Sequence, residues 1–471
     1  MKSIFYFFLS SLFIYETFGS LTRMRLQQKT REELSKDGKE TFDKHLKSME
    51  KLNKLNDKLE GKKHSKDDKD EIIKPSKFGN SELYQGDMIL SPSHAEMLIN
   101  EAKIKLEAKN QGKNATDKSV VDKLKKNRAY RKNNTKWKFP IPYFVDGVDS
   151  NTVDRAIKDI EANTCVRFKK EGKFSGKSGL RYFKGSGCSS TVGQTDGRVQ
   201  DVSIGRGCEV LGIVQHETLH ALGFYHEQAR PDRDQYLTIA INNVHEKRRR
   251  NYRINGVNEA DTYGIPYNYG SAMHYDKMAF TNTFDPVMIT KNKLYQDVIG
   301  NAGRLAFLDF KMVNTVYCKD KCKGGVKCSN GGYEDPNKCG TCKCPYLLTG
   351  NTCTDYIKNP PACGNQNVIK LSGKPTTVKP KGKVECVYAV SSPKKVKLTF
   401  GNSNLKFNRG GGLCWPTDGI EVQYLNDKAL VGVTYCDNPK GKSITSEGNL
   451  MLVKYSGNDN SQSAELTFTT A

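Results

Sequence analysis

The 471-residue chain is poor in histidine, has no cysteine before Cys165 and contains no apolar run long enough to span a membrane. Its hydrophobic fraction of 36% is low for one tightly packed globule, which excludes an all-core protein. The first apolar run, from Ile4 to Tyr15, has about 12 residues, whereas a helix needs about 20 to cross a bilayer. We therefore expect residues 1–19 to be a cleaved signal peptide and the chain to be secreted, with no membrane span.

Cysteine placement divides the rest of the chain. At typical domain sizes, 471 residues have room for about three or four compact units. The 14 cysteines are even in number, and in the oxidising environment of a secreted protein they predict disulfides rather than thiol sites. They form a thin scatter from Cys165 to Cys208, a dense group from Cys318 to Cys353, and a last set between Cys363 and Cys436.

Residues 20–128, the leader, lack cysteine and carry a net charge of +7. A β-rich apolar segment from Trp137 to Val145 then opens the globular part, and the basic stretch 125–132 just before it suits a trypsin-like protease. Apolar residues at steps of three and four predict an amphipathic helix within the leader: Phe42, Leu46, Met49, Leu52, Leu55 and Leu59.

The chemistry of the sequence concentrates in residues 216–227. No proline interrupts the segment, so a helix is predicted that places His216 and His220 one turn apart on the same face. His226 lies six residues later, about 600° further round an ideal helix, and joins them only if the helix stops. Gly223 supplies that stop, because glycine accepts the left-handed conformation that ends a helix.

Three imidazoles with an open fourth position are typical of a catalytic zinc site rather than a structural one, so the spacing predicts one bound Zn²⁺. Zinc lowers the pKa of a water in the open position toward about 7. Glu217 directly follows a ligand and is placed to act as general base, accepting the proton of that water and passing it to the leaving amine. The joint spacing favours a zinc hydrolase over histidines buried in an ordinary core.

Residues 216–234, HETLHALGFYHEQARPDRD, resemble the signature of the astacin family of metzincin zinc endopeptidases, and residues 269–275, YGSAMHY, resemble its second motif. The resemblance implies an α+β metzincin catalytic domain over residues 129–320, with two subdomains flanking a zinc cleft. It also implies that Met273 lies beneath the metal and that Tyr275 is a fifth zinc ligand that stabilises the oxyanion. A phenol in that place can hydrogen-bond charge that develops only in the transition state.

Two carboxylates gain a role through the same resemblance. Residues 84–87, YQGD, resemble the family's inhibitory Phe-x-Gly-Asp with tyrosine in place of phenylalanine, which implies that Asp87 occupies the open zinc position of a zymogen. Glu227 would meet the new α-amino group of the mature enzyme. The leader is then a propeptide, with activation by cleavage near Arg128 and a mature N-terminus at Ala129 or a near neighbour.

The resemblance extends to the C-terminal architecture and to the cysteine pairing. Residues 321–354 resemble a small, disulfide-rich EGF-like module, whose six cysteines alone allow 15 connectivities. Residues 362–471, with short alternating strands, resemble an all-β CUB sandwich. The implied pairs are Cys165–Cys318, Cys188–Cys208, Cys322–Cys339, Cys328–Cys342, Cys344–Cys353, Cys363–Cys386 and Cys414–Cys436.

Three further features lie outside the zinc motif: a pair of acidic residues, two sequons and a departure from the family pattern. Asp418 and Glu421 could belong to a calcium site of the kind some CUB domains have, but surface acids without a function are commoner, and we expect that. Sequons at Asn114 and Asn133 allow glycosylation. Residues 299–302 read IGNA where the family usually has Ile-Gly-Gln-Arg, so details of the substrate pocket do not transfer from relatives.

Two interpretations from different classes follow. The first is a secreted zinc endopeptidase that cuts extracellular proteins; the second is a catalytically silent adhesion or scaffold protein acting through its EGF-like and CUB modules, against which the intact ligands and Glu217 argue. The net charge of +23 falls to +16 without signal segment and leader, which suggests acidic matrix or surface partners. Nucleic acid is not an expected partner, because no such motif accompanies the charge.

Overall fold

The computed structural model describes residues 21–62, 72–73, 80–114, 117–124, 136–256, 261–300, 303–364, 366–405, 414 and 419–471. The predicted signal peptide, the cleavage point at Arg128 and Ala129, the sequon at Asn133, and Asp418 lie outside the described residues.

The longer helices lie either in the leader or in residues 129–320, the segment that the resemblance assigns to the catalytic domain and that we call the catalytic part. The amphipathic leader helix is confirmed: it begins after Ser35, whose hydroxyl accepts a hydrogen bond from the Gly38 amide at 3.1 Å, and ends at Gly61 in the left-handed conformation. Its apolar stripe packs against a second long leader helix. The helices are α1 (Arg23–Glu33), α2 (Lys36–Glu60), α3 (Pro92–Asn110), α4 (Ser150–Asn163), α5 (Leu211–Ala221) and α6 (Phe307–Tyr317).

A six-stranded sheet forms the first half of the catalytic part, in the order β3-β7-β8-β6-β4-β5. Its edge strand β3 comes from the leader and pairs in parallel with β7 in the register Met88 to Ser190. The leader is therefore built into the catalytic sheet. In chain order the strands are β1 (Leu21–Thr22), β2 (Ile72–Ile73), β3 (Met88–Leu90), β4 (Ile141–Asp146), β5 (Phe168–Lys170), β6 (Gly179–Phe183), β7 (Cys188–Val192) and β8 (Val199–Ile204), with β1 and β2 paired separately.

Alternate side chains of the sheet face two different layers. On β6, Leu180 and Tyr182 point into the core formed with α4 and α5, where the Tyr182 and Thr218 hydroxyls are hydrogen-bonded at 3.0 Å. Arg181 and Phe183 point the other way, and Phe183 packs against the leader helices. One face of the sheet thus supports the zinc helix α5, and the other is covered by the leader.

The second half of the catalytic part has little regular structure. Its short antiparallel pair, β9 (Leu237–Ile239) with β10 (Met288–Thr290), lies in a core rich in buried tyrosines. Helix α6 comes last in the catalytic part and packs in the core of the first half through Phe310 and Val313. A disulfide between Cys165 and Cys318 ties its end to the end of α4.

Two further units follow. A disulfide-rich segment holds two short hairpins, β11 (Tyr333–Glu334) with β12 (Cys342–Lys343) and β13 (Leu348–Thr349) with β14 (Asp355–Tyr356). A two-sheet β-sandwich then has the strand orders β15-β17-β22-β19-β20 and β16-β23-β18-β21. Its strands are β15 (Val368–Lys370), β16 (Thr376–Val378), β17 (Glu385–Ser391), β18 (Val396–Phe400), β19 (Gly419–Gln423), β20 (Val433–Tyr435), β21 (Ser443–Thr445), β22 (Leu450–Ser456) and β23 (Leu466–Thr470). The structure joins the cysteines in the seven pairs that the resemblance implies.

The expectation that Glu421 is a surface acid is wrong. Glu421 lies in the middle of β19, flanked by β20 on one side and β22 on the other, and is 1% exposed. Its carboxylate accepts a hydrogen bond from the Gly432 amide at 2.8 Å, and burial raises its pKa. Because β19 is an interior strand of its sheet, the Glu421 side chain is enclosed within the structure instead of pointing into solvent.

None of the helices in the described ranges combines the length and the apolar character that a membrane crossing requires.

The sandwich packs directly on the catalytic part. Val431 is 3% exposed and lies against Gly270, where a side chain would not fit. The Val431 carbonyl also accepts a hydrogen bond from the Tyr295 hydroxyl at 3.0 Å. Both units therefore share one apolar core.

We predict that Val431→Asp lowers the free energy of unfolding by about 3 kcal/mol or more, because it buries an unpaired carboxylate in that shared core. Chemical denaturation followed by tyrosine fluorescence measures the change. Val368→Asp is the matched control, since Val368 is in the same sandwich and is 45% exposed. Equal stability of the two variants would show that the sandwich does not depend on this contact.

Candidate metal centre

Three imidazoles and one carboxylate meet at a single point between the two halves of the catalytic part. One ligand atom from each of His216, His220, His226 and Asp87 lies within 4.8 Å of all the others. The Asp87 carboxylate is 3.0 Å from His226 Nε2, 3.5 Å from His216 Nε2 and 3.6 Å from His220 Nε2. Four of the five residues that the sequence nominated as ligands are therefore brought together, and the ring of the fifth, Tyr275, lies with its centroid 4.5 Å from that of His226.

The local fold that gathers the histidines is the predicted one. His216 and His220 lie on α5, which ends at Ala221, and Gly223 then adopts a φ of 99°. The Phe224 amide bonds back to the Leu219 carbonyl at 3.0 Å, which closes the helix end. The chain reverses there and returns the third imidazole to the face of α5.

Each imidazole is oriented through its other nitrogen. His216 Nδ1 lies 2.7 Å from the Ala272 carbonyl and His220 Nδ1 lies 2.8 Å from the Phe224 carbonyl. His226 Nδ1 lies 2.9 Å from the side-chain oxygen of Gln85 in the leader. Because all three acceptors are oxygens, each Nδ1 carries a proton, and Nε2 is the nitrogen of each ring that faces the centre and can bind a metal there.

The residues present fit a zinc ion. Among the described residues, His220 Nε2 and Asp87 Oδ1 are buried without a hydrogen-bond partner, which is costly unless another group binds them. Three neutral imidazoles and a carboxylate oxygen are the donor types that zinc takes in tetrahedral sites. Burial and the neighbouring imidazole also lower the pKa of His220, so that the ring is kept neutral for binding.

Asp87 stays ionised in this setting. Burial alone would raise its pKa, but the imidazoles beside it, His226 foremost, hold that pKa well below its usual range. The backbone of the same residue is also fixed, since the Ser190 amide on β7 donates to the Asp87 carbonyl at 3.0 Å. The carboxylate is thus both charged and held in place.

The leader residues before Asp87 pack tightly into the cleft. The Tyr275 hydroxyl donates to the Gln85 carbonyl, and the Gln85 side-chain amide donates to Asn255 at 3.0 Å. Gly86 has a φ of 85°, and a Cβ there would lie 2.5 Å from the Phe280 ring. Glycine is therefore required before Asp87 for both its conformation and its lack of a side chain.

Glu217 lies in the same buried volume. It is 1% exposed, and its Oε2 has no hydrogen-bond partner among the described residues. Burial and then the negative charge of Asp87 raise its pKa well above the usual range for a glutamate. A carboxylate held in this way is suited to take up a proton.

A buried carboxylate on α6 supports the metal ligands. Asp309 accepts hydrogen bonds from the Ser271 hydroxyl at 2.6 Å, the Ala272 amide at 2.9 Å and the Ala306 amide at 2.8 Å. It thereby fixes the segment whose Ala272 carbonyl orients His216. Met273, next in the chain, is buried in the core of the first half, and its carbonyl accepts the Glu227 amide at 2.8 Å.

Glu227 is partly buried in the second half of the catalytic part. Its Oε1 accepts hydrogen bonds from the Asn268 amide at 2.8 Å and from the Arg230 guanidinium at 3.1 Å. Burial raises the pKa of Glu227 to about 7 even though the charge of Arg230 opposes the shift. The carboxylate is therefore held by two donors, as a buried charge requires.

Sequence reasoning missed several residues of the site. Gln85 occupies the variable position of the YQGD segment, and Asn255 and Asp309 belong to no motif, so these three residues meet the histidines only through the fold. Asp309 does carry one signal, because an acid in the first turn of a helix indicates its N-terminus. That signal locates the helix but not its contact with the metal ligands. Asn114, the first residue of the other sequon, is exposed.

We predict that Asp309→Ala weakens zinc binding by about 10- to 100-fold, the usual effect of removing a group that orients a metal ligand. Competition with a fluorescent zinc chelator measures the affinity, and Asp297→Ala, at a carboxylate 74% exposed, is the control. Zinc binding equal to that of the control would show that Asp309 does not position His216.

Comparisons with known proteins agree with this geometry. Residues 129–318 match the family model for Astacin, a peptidase family. Zinc metalloproteinase nas-34 of Caenorhabditis elegans is 34% identical over 381 residues, which are 80% of this chain and 62% of that protein. Zinc metalloproteinase dpy-31 of the same organism is 30% identical over 431 residues, which are 86% of this chain and 69% of that protein.

A solved structure is also similar. High choriolytic enzyme 1, a hatching enzyme zinc-protease from Oryzias latipes, is 29% identical with a TM-score of 0.35, over 39% of this chain and 94% of that one. The present chain spans between 49% and 62% of the length of the first three curated relatives that it matches. The family match contains all three histidines, and dpy-31 is matched over more than two thirds of its length, so the chain belongs to the astacin family of peptidases.

Proposed function

We propose that this chain is a secreted zinc endopeptidase, made as a zymogen, that hydrolyses peptide bonds of extracellular proteins once its leader is removed. The proposal rests on one observation: three imidazole Nε2 atoms and the Asp87 carboxylate meet within 4.8 Å where the leader passes through the cleft. Three protein ligands with a fourth position taken by a removable group are what a catalytic zinc site requires.

The residues around that position have separate roles in hydrolysis. When bound, zinc would supply a Lewis acid that lowers the pKa of water toward about 7. Glu217 takes the proton of the attacking water and delivers it to the leaving amine, as its buried, raised-pKa carboxylate allows. The Tyr275 hydroxyl, whose own pKa burial raises well above its usual value, stays protonated and donates to the developing oxyanion.

The leader holds these groups in an inactive arrangement. Asp87 takes the position that water would need, and the Tyr275 hydroxyl donates to the Gln85 carbonyl instead of to a substrate. Cleavage near Arg128 followed by departure of the leader frees both. The buried Glu227 carboxylate, with a pKa of about 7, would then accept the new α-amino group near Ala129 as a further partner.

The C-terminal units are proposed to be an EGF-like module over residues 321–354 and a CUB domain over residues 362–471. Three disulfides, two small hairpins and the two-sheet sandwich support these assignments. The seven disulfides also support maturation in an oxidising compartment, and glycosylation at Asn114 fits its exposure. With +16 on the mature part, acidic matrix or surface proteins are the expected partners.

We predict that Glu217→Ala reduces hydrolysis of a denatured protein substrate by about 10²- to 10⁴-fold, the range for loss of a general base. The assay uses trypsin-processed protein, and removing zinc with a chelator should have at least as large an effect. Glu209→Ala, at an exposed residue just before α5, is the control.

Activity that persists in Glu217→Ala or after chelation would overturn the metal mechanism. Complete absence of hydrolysis in processed wild-type protein with zinc bound would instead favour a scaffold role for the C-terminal modules.

We predict that Asp87→Ala gives the uncleaved chain measurable activity on a short peptide, because the position next to the imidazoles is then open to water. Uncleaved wild type should be inactive, and Asp122→Ala, at an exposed leader acid, should behave like wild type. Hydrolysis by the uncleaved wild type at the rate of processed enzyme would contradict the inhibitory role of Asp87.

A further inference from the structure

The six-stranded sheet has one face covered by α5 and an opposite face that binds the leader through buried polar and apolar contacts. We name this opposite face the outer face and define it by Arg181 and Phe183 of β6, Ser186, and Arg198, Val199 and Asp201 at the start of β8. Because side chains alternate across a strand, Tyr182 between the first two residues points toward α5 and Thr218, whereas its neighbours point away. The outer face is therefore separated from the zinc ligands by the thickness of the sheet.

The amino end of α2 is anchored on the outer face by a buried carboxylate. Asp201 is 2% exposed, and its Oδ2 accepts hydrogen bonds from the Ser35 amide at 2.8 Å and the Ser35 hydroxyl at 2.7 Å. Its Oδ1 accepts from the Arg181 guanidinium at 3.0 Å. Gly38 touches the same carboxylate so closely that a Cβ would lie 1.8 Å from Asp201 Oδ2.

Leader carboxylates pair with donors of the catalytic part around this anchor. The Val199 amide donates to Asp37 at 3.0 Å, and the Ser186 amide donates to Glu33 at 2.8 Å. Arg198 binds Glu40 through two parallel hydrogen bonds of 2.6 and 2.9 Å. Such bidentate charged pairs are geometrically specific. Carboxylates at the end of α1 and near the start of α2 thus meet a complementary set of donors.

Apolar contact completes the surface. Phe183 is 3% exposed and packs against Leu34 and the fully buried Phe42 of the leader. Leu83 and Ile89, which lie on either side of Asp87 in the sequence, complete this apolar cluster. The anchor and the segment around Asp87 are therefore two parts of one folded leader, joined through its own core. Release of the Asp87 segment alone would leave the anchor contacts intact.

We propose that the outer face is a binding site for the leader that is separate from the cleft, and that the leader stays bound there after its cleavage. Its partner is the leader segment from the end of α1 to the start of α2, residues 33–42, and activation then requires two events: cutting of the chain and dissociation of the anchor. This inference rests on the zymogen function proposed above. The cut near Arg128 is far along the chain from residues 33–42, so cleavage breaks none of the anchor contacts.

The test measures leader retention without using catalysis. Full-length chains carry Glu217→Ala and a site-specific protease sequence in place of residues 125–132, are cleaved, and are passed at once and after set intervals over a size-exclusion column. We expect the cleaved leader to elute with the catalytic part. Gly38→Ala in the same background should release it roughly 10- to 100-fold faster, as expected for disrupting hydrogen bonds to a charged group.

Gly38→Ala is informative because alanine is a better helix former than glycine, so the variant favours α2 while disrupting its contact with Asp201. Lys47→Ala, at an exposed residue of the same helix, should retain the leader like the parent chain. Immediate release of the parent leader, or equal retention of Gly38→Ala and Lys47→Ala, would overturn the proposal. Neither result depends on whether the processed wild-type protein hydrolyses peptides, which tests the proposed function separately.

A charge exchange gives a second, independent measurement. Glu40→Arg places two arginines together and should speed leader release, whereas Glu40→Arg combined with Arg198→Glu restores opposite charges and should slow it again. Both side chains are at least 31% exposed, so neither change buries a charge. Release from the double variant as fast as from Glu40→Arg alone would show that this pair is not part of the anchor.

Discussion

The structure around the cleft depends on the negative charge of the Asp87 carboxylate. Asp87 lies among three imidazoles, where an ion is stable only if positive charge or a metal compensates it. That requirement fixes the path of the leader through the cleft, the close approach of Gly86 to Phe280 and the hydrogen bond of Tyr275 to the leader backbone. In the proposed function the same position is the one that hydrolysis needs, so inhibition and catalysis would compete for one small volume.

The catalytic sheet connects that volume to the rest of the molecule. Its inner face holds α5 with two of the imidazoles, while its outer face and its edge beside β7 are both occupied by the leader. A leader bound along an edge strand and across a sheet face buries far more surface than one carboxylate could. Gly270, three residues before Met273, packs against Val431 of the sandwich, so the C-terminal unit also contacts the segment that leads to Met273.

The residues that sequence predicted well share a property: their geometry is set by short spacings. His216, His220 and Gly223 lie within two turns of chain, so a helix and its end suffice to place them. Gln85 and Asn255 support the same site, but they are 170 residues apart and carry no spacing signal. The expectation that Glu421 is exposed is wrong for a related reason. The exposure of its side chain depends on which strands flank β19 and not on residue type.

Local periodicity and fixed motifs in the sequence were enough to nominate the histidine ligands, a candidate general base, the amphipathic leader helix and the family resemblance. The tertiary structure decided that Asp309 holds the segment orienting His216, that Glu421 is buried, and that α2 is anchored by Asp201 on the outer face. Such contacts join residues far apart in the chain. They form only when whole layers pack, and no spacing along the sequence encodes which layers meet.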